Sequence, residues 1–214
     1  MRDTDDHDGP ALSAEALAEG IAWLIVRDEG LARAHAETGT PRLRNRPDGF
    51  ATLLHAIVGQ QVSLVSAAAI WARVEAAGLD DPDALLAAGA EGLRACGFTR
   101  PKQKYALAIA ASGFDFAALR DMEDTAAIDA LDALPGIGRW TAEIYVMTAL
   151  GRPDVLPAGD LALQEGARLL YGWDLRPREA ALREVAAAWS PWRGVAARLL
   201  WDYYVRHKGR EIIA

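Results

Sequence analysis

A short loop with two glycines is the first feature of this sequence that suggests chemistry. Residues 134–142 read Leu-Pro-Gly-Ile-Gly-Arg-Trp-Thr-Ala and lie between two helix-like stretches, Thr125 to Ala133 and Arg139 to Leu150. Glycines permit a tight turn. The backbone N–H groups at the start of the second helix then face outward, where they suit a phosphate. We expect Ile137 to tuck between the two helices.

The same loop has two other interpretations. A glycine-rich connection between helices needs no ligand at all, although Pro135 before the glycines and Trp-Thr-Ala after them make the string more specific than a bare Gly-x-Gly. A dinucleotide-binding fingerprint also uses spaced glycines, but it requires a preceding strand and a third glycine where this chain has Thr141. The dinucleotide interpretation is therefore rejected.

Asp160 is the carboxylate whose position suggests chemistry. It follows a Pro-Ala-Gly loop and precedes Leu161 and Leu163, which begin the apolar pattern of a helix. The pattern by itself predicts a helix N-cap. A carboxylate at a loop end also suits a reaction whose transition state carries positive charge. The two roles are compatible.

The elements that must position these residues are predicted to be helices. The segments between caps and breakers are rich in Ala, Leu, Arg and Glu, and no strand-like alternation is long enough to build a sheet. We expect Ser13, Asp48 and Ser63 to cap helices and Pro82, Pro101, Pro177 and Pro191 to lie in first turns. The fold class is all-α, with about ten short helices and an acidic tail, residues 1–10, that is disordered.

Composition narrows the classes of function. The chain has 214 residues, a net charge of −7 and one cysteine, Cys96, which excludes an intramolecular disulfide and a four-thiolate zinc or iron–sulfur site. Its acidic start resembles no secretory signal, and no apolar run is long enough for a membrane span, so we expect a cytoplasmic protein. Two basic strips, residues 92–104 and 193–210, offer local cationic surface despite the negative charge.

Four stretches together resemble the helix-hairpin-helix DNA glycosylases, particularly the alkylbase (3-methyladenine) glycosylase II group. They are the hairpin at 134–142, residues 50–63 with their Val-Gly-Gln-Gln-Val-Ser end, the Leu-Pro-Ala-Gly-Asp strip ending at Asp160, and residues 190–201. The resemblance covers roughly residues 45 to 208 and implies two helical lobes with an active-site cleft between them. The family's larger members carry an additional β-rich domain ahead of these lobes, which the helical start of this chain does not match.

The resemblance implies roles for individual residues. Asp160 is the expected catalytic carboxylate, Trp140 and Trp201 line the base pocket, and Gln61 inserts into the DNA duplex. Trp140 stands where lyase members of the superfamily have a nucleophilic lysine, so the resemblance implies a monofunctional enzyme that uses water. The expected DNA-binding residues are Gln60, Gln61, Ser63, Lys102, Lys104, Gly136, Gly138 and Thr141. Backbone carbonyls of Asp132, Leu134 and Ile137 are expected to hold a monovalent cation, Na⁺ or K⁺.

The expected function is removal of alkylated bases of the 3-methyladenine and 7-methylguanine type from double-stranded DNA in base excision repair. No cofactor, iron–sulfur cluster, membrane or obligate protein partner is expected, and nothing requires more than a monomer. Two alternatives stay open: a non-catalytic helix-hairpin-helix module that only binds DNA, and a glycosylase for another damaged base, oxidised or mismatched.

Overall fold

The computed structural model describes residues 12–209, and within them the regular secondary structure is entirely helical. The all-α prediction is therefore confirmed, whereas the predicted disorder of residues 1–10 lies outside the described range. None of the described helices is both long and apolar enough to span a bilayer. The α-helices are α1 (Ala14–Ile25), α2 (Glu29–Thr38), α3 (Phe50–Gly59), α4 (Leu64–Ala76), α5 (Pro82–Cys96), α6 (Arg100–Ala111), α7 (Asp124–Asp132), α8 (Arg139–Thr148), α9 (Leu161–Tyr171), α10 (Glu179–Ala186) and α11 (Arg193–Lys208). Two short 3-10 helices, Ala117–Asp121 and Ala187–Trp189, complete the set.

The chain forms two compact units, and the boundary between them falls inside α8. Within the described residues, the first unit combines 12–45 with 146–209 and is organised around α11, which packs against α9, α2 and α1. Gly166 lets α9 approach α11 closely, because a Cβ there would lie 2.6 Å from the Leu200 carbonyl oxygen. Buried Leu199, Leu200 and Trp201 explain why α11 occupies the centre of this unit.

The second unit comprises residues 46–145. Helix α6 packs against α5 and α3, and α4 packs against α3 and α5. The apolar residues whose spacing predicts α3, namely Phe50, Leu53, Leu54, Ile57 and Val58, are all buried. Helix α3 therefore follows the periodicity of the sequence closely.

The sequence predicted N-caps correctly where the capping side chain bonds to its own helix. Ser13 Oγ accepts from Ala16 N at 3.1 Å and Ser63 Oγ from Ser66 N at 3.2 Å, which confirms both caps. The prediction for Asp48 is wrong. Gly49 is the N-cap of α3, while the Asp48 carboxylate accepts two hydrogen bonds from Arg120, at 2.7 and 2.9 Å. The carboxylate therefore bonds to a residue 72 positions later in the sequence and does not cap its own helix.

Of the four prolines predicted to lie in first helical turns, two do so and two do not. Pro82 and Pro101 lie in the first turns of α5 and α6, as expected. Pro177 and Pro191 instead precede the N-caps of α10 and α11, so the predictions for these two are wrong. At α11 the start is set from elsewhere in the chain, because the Asp154 carboxylate accepts from Arg193 N at 3.0 Å.

Candidate functional site

The hydrogen bonds that hold Asp160 include a local one and a distant one. As the N-cap of α9, it accepts from Leu163 N at Oδ1 over 2.8 Å, which confirms the N-cap prediction. The same oxygen accepts from Trp201 Nε1 of α11 at 3.2 Å. The preceding loop is braced by Gln164, whose buried amide donates to the Ala158 carbonyl at 2.8 Å. These contacts fix the direction of a carboxylate that remains partly exposed.

Trp201 meets Asp160 through its N–H edge. The residue is only 2% exposed, so the described structure buries the indole face that a flipped base would need for stacking. Its observed contact is the hydrogen bond that orients Asp160. The expected pocket role of Trp201 stays a prediction, as does that of Trp140, which is half-buried in the first turn of α8.

The hairpin between α7 and α8 has the conformation that its glycines suggest. Gly136 adopts a φ of +78°, and a Cβ there would overlap the Tyr105 ring of α6. Gly138 has open space where a Cβ would stand. Ile137 is buried, as the sequence predicts, and its N–H donates to the Leu134 carbonyl at 3.1 Å. The turn therefore exposes backbone at one glycine and packs tightly at the other.

The first-turn N–H groups of α8 have no acceptor within their own helix, whose hydrogen-bond pattern begins with Ala142 N donating to Gly138 O at 3.0 Å. Thr141 is buried, so its hydroxyl has little access to a phosphate in this conformation. Phosphate binding at Gly136, Gly138 and Thr141 stays a prediction.

The expected monovalent cation would share the Leu134 carbonyl with the N–H of Ile137. A carbonyl oxygen has two lone pairs and can serve both groups. Asp132, whose carbonyl is the next expected ligand, is the last residue of α7. These backbone groups are compatible with the cation, which also stays a prediction.

The turn between α3 and α4 carries the residue expected to enter DNA. Gln61 has a φ of +58° and is the only residue other than glycine with positive φ among residues 12–209; its side chain is exposed. Gln60 turns inward and donates from Nε2 to the Gly136 carbonyl at 3.0 Å. Ser63, expected at the DNA, uses its hydroxyl to cap α4. The three neighbours thus differ in what they offer to a ligand.

Lys102 does not have the surroundings expected of a phosphate ligand. It is 9% exposed, and Nζ donates to the carbonyls of Val58 at 2.8 Å and Gln60 at 2.6 Å. Burial lowers its pKa below the ordinary lysine value. Two internal carbonyls thus engage two of the three N–H donors of the ammonium, and the phosphate contact expected at Lys102 stays a prediction. Lys104, two residues further along α6, is exposed, and its expected phosphate contact also stays a prediction.

Three basic residues of the strip at 193–210 form ion pairs or are buried within the first unit. Arg193 pairs with Asp154 at 2.7 Å, Lys208 pairs with Glu165 at 3.1 Å, and Arg198 is buried. Burial acts to raise the pKa of the Asp154 carboxyl, but hydrogen bonds from Arg193 and Ser190 bring it below its ordinary value. A count of basic residues along the sequence therefore overstates the cationic surface here.

Comparisons with known proteins agree with this arrangement of elements. The family model for HhH-GPD superfamily base excision DNA repair proteins matches residues 54–191. A solved DNA-3-methyladenine glycosidase from Bacillus halodurans has 34% identity and a TM-score of 0.79, with 91% of each chain covered. The Schizosaccharomyces pombe 3-methyladenine DNA glycosylase, solved in complex with abasic DNA, has 27% identity and a TM-score of 0.75, covering 86% of this chain and 95% of that one.

One curated relative is similar over a shorter segment but at higher identity. A probable bifunctional transcriptional activator and DNA repair enzyme of Mycobacterium tuberculosis is 46% identical over 69 residues, which are 32% of this chain and 13% of that protein. The family model, by contrast, covers well over half of the chain. This chain belongs to the HhH-GPD superfamily of base excision DNA repair proteins.

Proposed function

We propose that this protein hydrolyses the N-glycosidic bond of alkylated bases in double-stranded DNA and leaves an abasic site. Membership of a base excision repair superfamily supports the general activity. The similar proteins from Bacillus halodurans and Schizosaccharomyces pombe are both named for 3-methyladenine, which supports the class of base. The expected substrates are 3-methyladenine and 7-methylguanine.

The observation that carries the proposal is the anchoring of Asp160. Loss of a base places positive charge on the sugar, and a carboxylate held beside C1′ stabilises that charge. Such stabilisation is effective only when the carboxylate is already oriented before the reaction. Leu163 N and Trp201 Nε1 supply that orientation from two separate helices.

An alkylated purine such as 7-methylguanine already carries positive charge, so it leaves without protonation by a general acid. Water is the nucleophile in our proposal. The chain has three lysines, Lys102, Lys104 and Lys208, and the position that the family resemblance assigns to a lyase lysine holds Trp140. The reaction therefore ends at the abasic site, without a Schiff base to the sugar.

The second unit supplies the contacts that reach the base in this proposal. The N–H groups of the α7–α8 hairpin bind a backbone phosphate, which positions the protein without reading sequence. Gln61 enters the duplex as the damaged nucleotide leaves it, and its amide hydrogen-bonds the unpaired partner base.

The decisive experiment compares the wild type with Asp160→Asn on duplexes carrying 7-methylguanine or 3-methyladenine. We expect the wild type to release the free base and leave an alkali-labile site. Asp160→Asn should lose about 100-fold or more in single-turnover rate while still binding DNA. Asp174→Asn, which neutralises an exposed carboxylate of the same unit, is the matched control and should keep full activity.

Each other outcome points to a different conclusion. Binding by both proteins without base release would favour a passive DNA-binding module. Release of an oxidised or mismatched base in place of the alkylated ones would keep the enzyme and change its substrate. Equal release by the wild type and Asp160→Asn would remove Asp160 from the catalytic role.

A further inference from the structure

We propose that Lys102 is a positioning residue that holds the Gln60–Gln61 peptide in the orientation needed to insert Gln61 into DNA. The inference rests on the proposed function, because it concerns how that reaction gains access to the base. It assigns to Lys102 a role inside the protein rather than at a phosphate.

The first step concerns the end of α3. The last carbonyls of a helix lack donors within the helix, and Val58 lies one residue before the end of α3. Lys102 Nζ supplies a donor to Val58 O at 2.8 Å. A positive charge at a helix C-terminus also interacts favourably with the helix dipole. The ammonium thus closes α3 at the point where the turn begins.

The second step concerns the peptide that joins Gln60 to Gln61. Its carbonyl oxygen is the other acceptor of Lys102 Nζ, at 2.6 Å. The next backbone angle is the φ of +58° at Gln61, an unfavourable conformation for a residue with a side chain. Rotation of this peptide would relieve that φ, but it would turn the carbonyl away from the ammonium. Lys102 therefore opposes the rotation that would redirect the Gln61 side chain.

The third step connects the turn to the hairpin. Gln60 Nε2 donates to Gly136 O at 3.0 Å, and the Tyr105 ring lies against the α-carbon of Gly136. Tyr105 follows Lys102 by three residues on α6, so the two side chains lie on one face of that helix. One helix thus supports both the turn that carries Gln61 and the hairpin expected to bind phosphate.

A double-mutant cycle tests whether Lys102 acts through Gln61. The variants are Lys102→Met, Gln61→Ala and their combination, with Lys208→Met as the matched control on an exposed lysine of the other unit. If Lys102 only positions Gln61, each single variant should slow single-turnover base release by about tenfold, and the double variant should be no slower than either one. A merely structural role would add its loss to that of Gln61→Ala.

A binding measurement makes the test independent of catalysis. The probe is a duplex with 2-aminopurine opposite a stable abasic-site analogue, whose fluorescence changes when a side chain enters the gap. The wild type and Lys208→Met should give the full change, while Lys102→Met and Gln61→Ala should lose most of it at saturating protein. Loss in both variants with no base release by the wild type would keep this inference and overturn the proposed function.

Stability is controlled by a second substitution. If Lys102→Met does not fold at the assay temperature, the cycle is run with Lys102→Gln, whose shorter side chain keeps an N–H donor. We expect an intermediate loss from Lys102→Gln, again with no additional loss when Gln61→Ala is combined with it. Additive losses, or an unchanged 2-aminopurine signal in the folded Lys102 variant, would overturn the proposal.

Discussion

Among residues 12–209 two cationic side chains are buried, one in each unit, and their surroundings differ. Lys102 in the second unit is 9% exposed and donates to two carbonyls. Arg198 in the first unit is 3% exposed, and its Nε, Nη1 and Nη2 make no hydrogen bond within the described part of the chain. Burial, with repulsion from Arg44, lowers the pKa of Arg198 to about 10.

The difference shows that burial alone does not tell what a charged residue contributes. A buried cation whose donors meet fixed carbonyls holds those carbonyls in place. A buried cation without such acceptors bears the cost of losing water with less compensation. We therefore expect the two residues to have opposite effects on stability.

The largest expected effect is from Lys102→Met. It removes the donor shared by the Val58 and Gln60 carbonyls, and we expect the free energy of unfolding to fall by about 2–4 kcal/mol. Urea denaturation at pH 7 measures it, with Lys208→Met as a control expected to change little. A loss below about 0.5 kcal/mol would show that the two carbonyls do not depend on Lys102.

Arg198→Met should act in the opposite direction. Methionine keeps much of the apolar stem and removes the charge, so the free energy of unfolding should rise by about 1–3 kcal/mol. The same denaturation experiment checks this, with exposed Arg206→Met as the control. A clear loss of stability would mean that the guanidinium has a favourable interaction in solution, and the contrast with Lys102 would disappear.

The free energy of unfolding of Arg198→Met should exceed that of the wild type by less as pH rises from 8 to about 11. The folded-state pKa of Arg198 is about 10, below the ordinary value of an arginine, so the folded protein loses this proton first. The unfolded state then binds more protons, and the stability of the wild type rises with pH relative to the variant. Paired denaturation curves at several pH values measure the difference. A gap that stays constant would place the folded-state pKa above the range tested.

The smallest expected effect is from Trp201→Phe, which asks whether Asp160, like Lys102, depends on a distant partner. Phenylalanine cannot donate to Asp160 Oδ1, so the carboxylate loses its partner on α11 while the hydrogen bond from Leu163 N stays. We expect single-turnover base release to slow by about fivefold with DNA affinity unchanged. Half-buried Trp23→Phe controls for the loss of an indole. An unchanged rate would limit the role of Trp201 to packing.

The sequence predicted most of the fold and the type of several site residues. The family, the all-helical class, the two hairpin helices and the N-cap at Asp160 all agree with the structure or with the family comparison. The roles of the site residues in DNA binding and catalysis stay predictions. The internal acceptors of Lys102 were not predictable, because they lie 42 and 44 residues earlier in the sequence.

Features whose partners lie within one helical turn follow from the order of residues alone. Ser13, Ser63 and Asp160 cap helices through N–H groups three residues ahead, and Gly136 makes a turn that requires positive φ. Such interactions depend on local geometry, which the order of residues specifies.

The pairing of polar groups that are distant in sequence depends instead on how the helices pack. Arg120 takes Asp48 away from its helix, Asp154 sets the start of α11, and Trp201 reaches Asp160 across 41 residues. These pairs form because packed apolar faces bring distant helices together, and the periodicity of each helix specifies its buried face but not its neighbour.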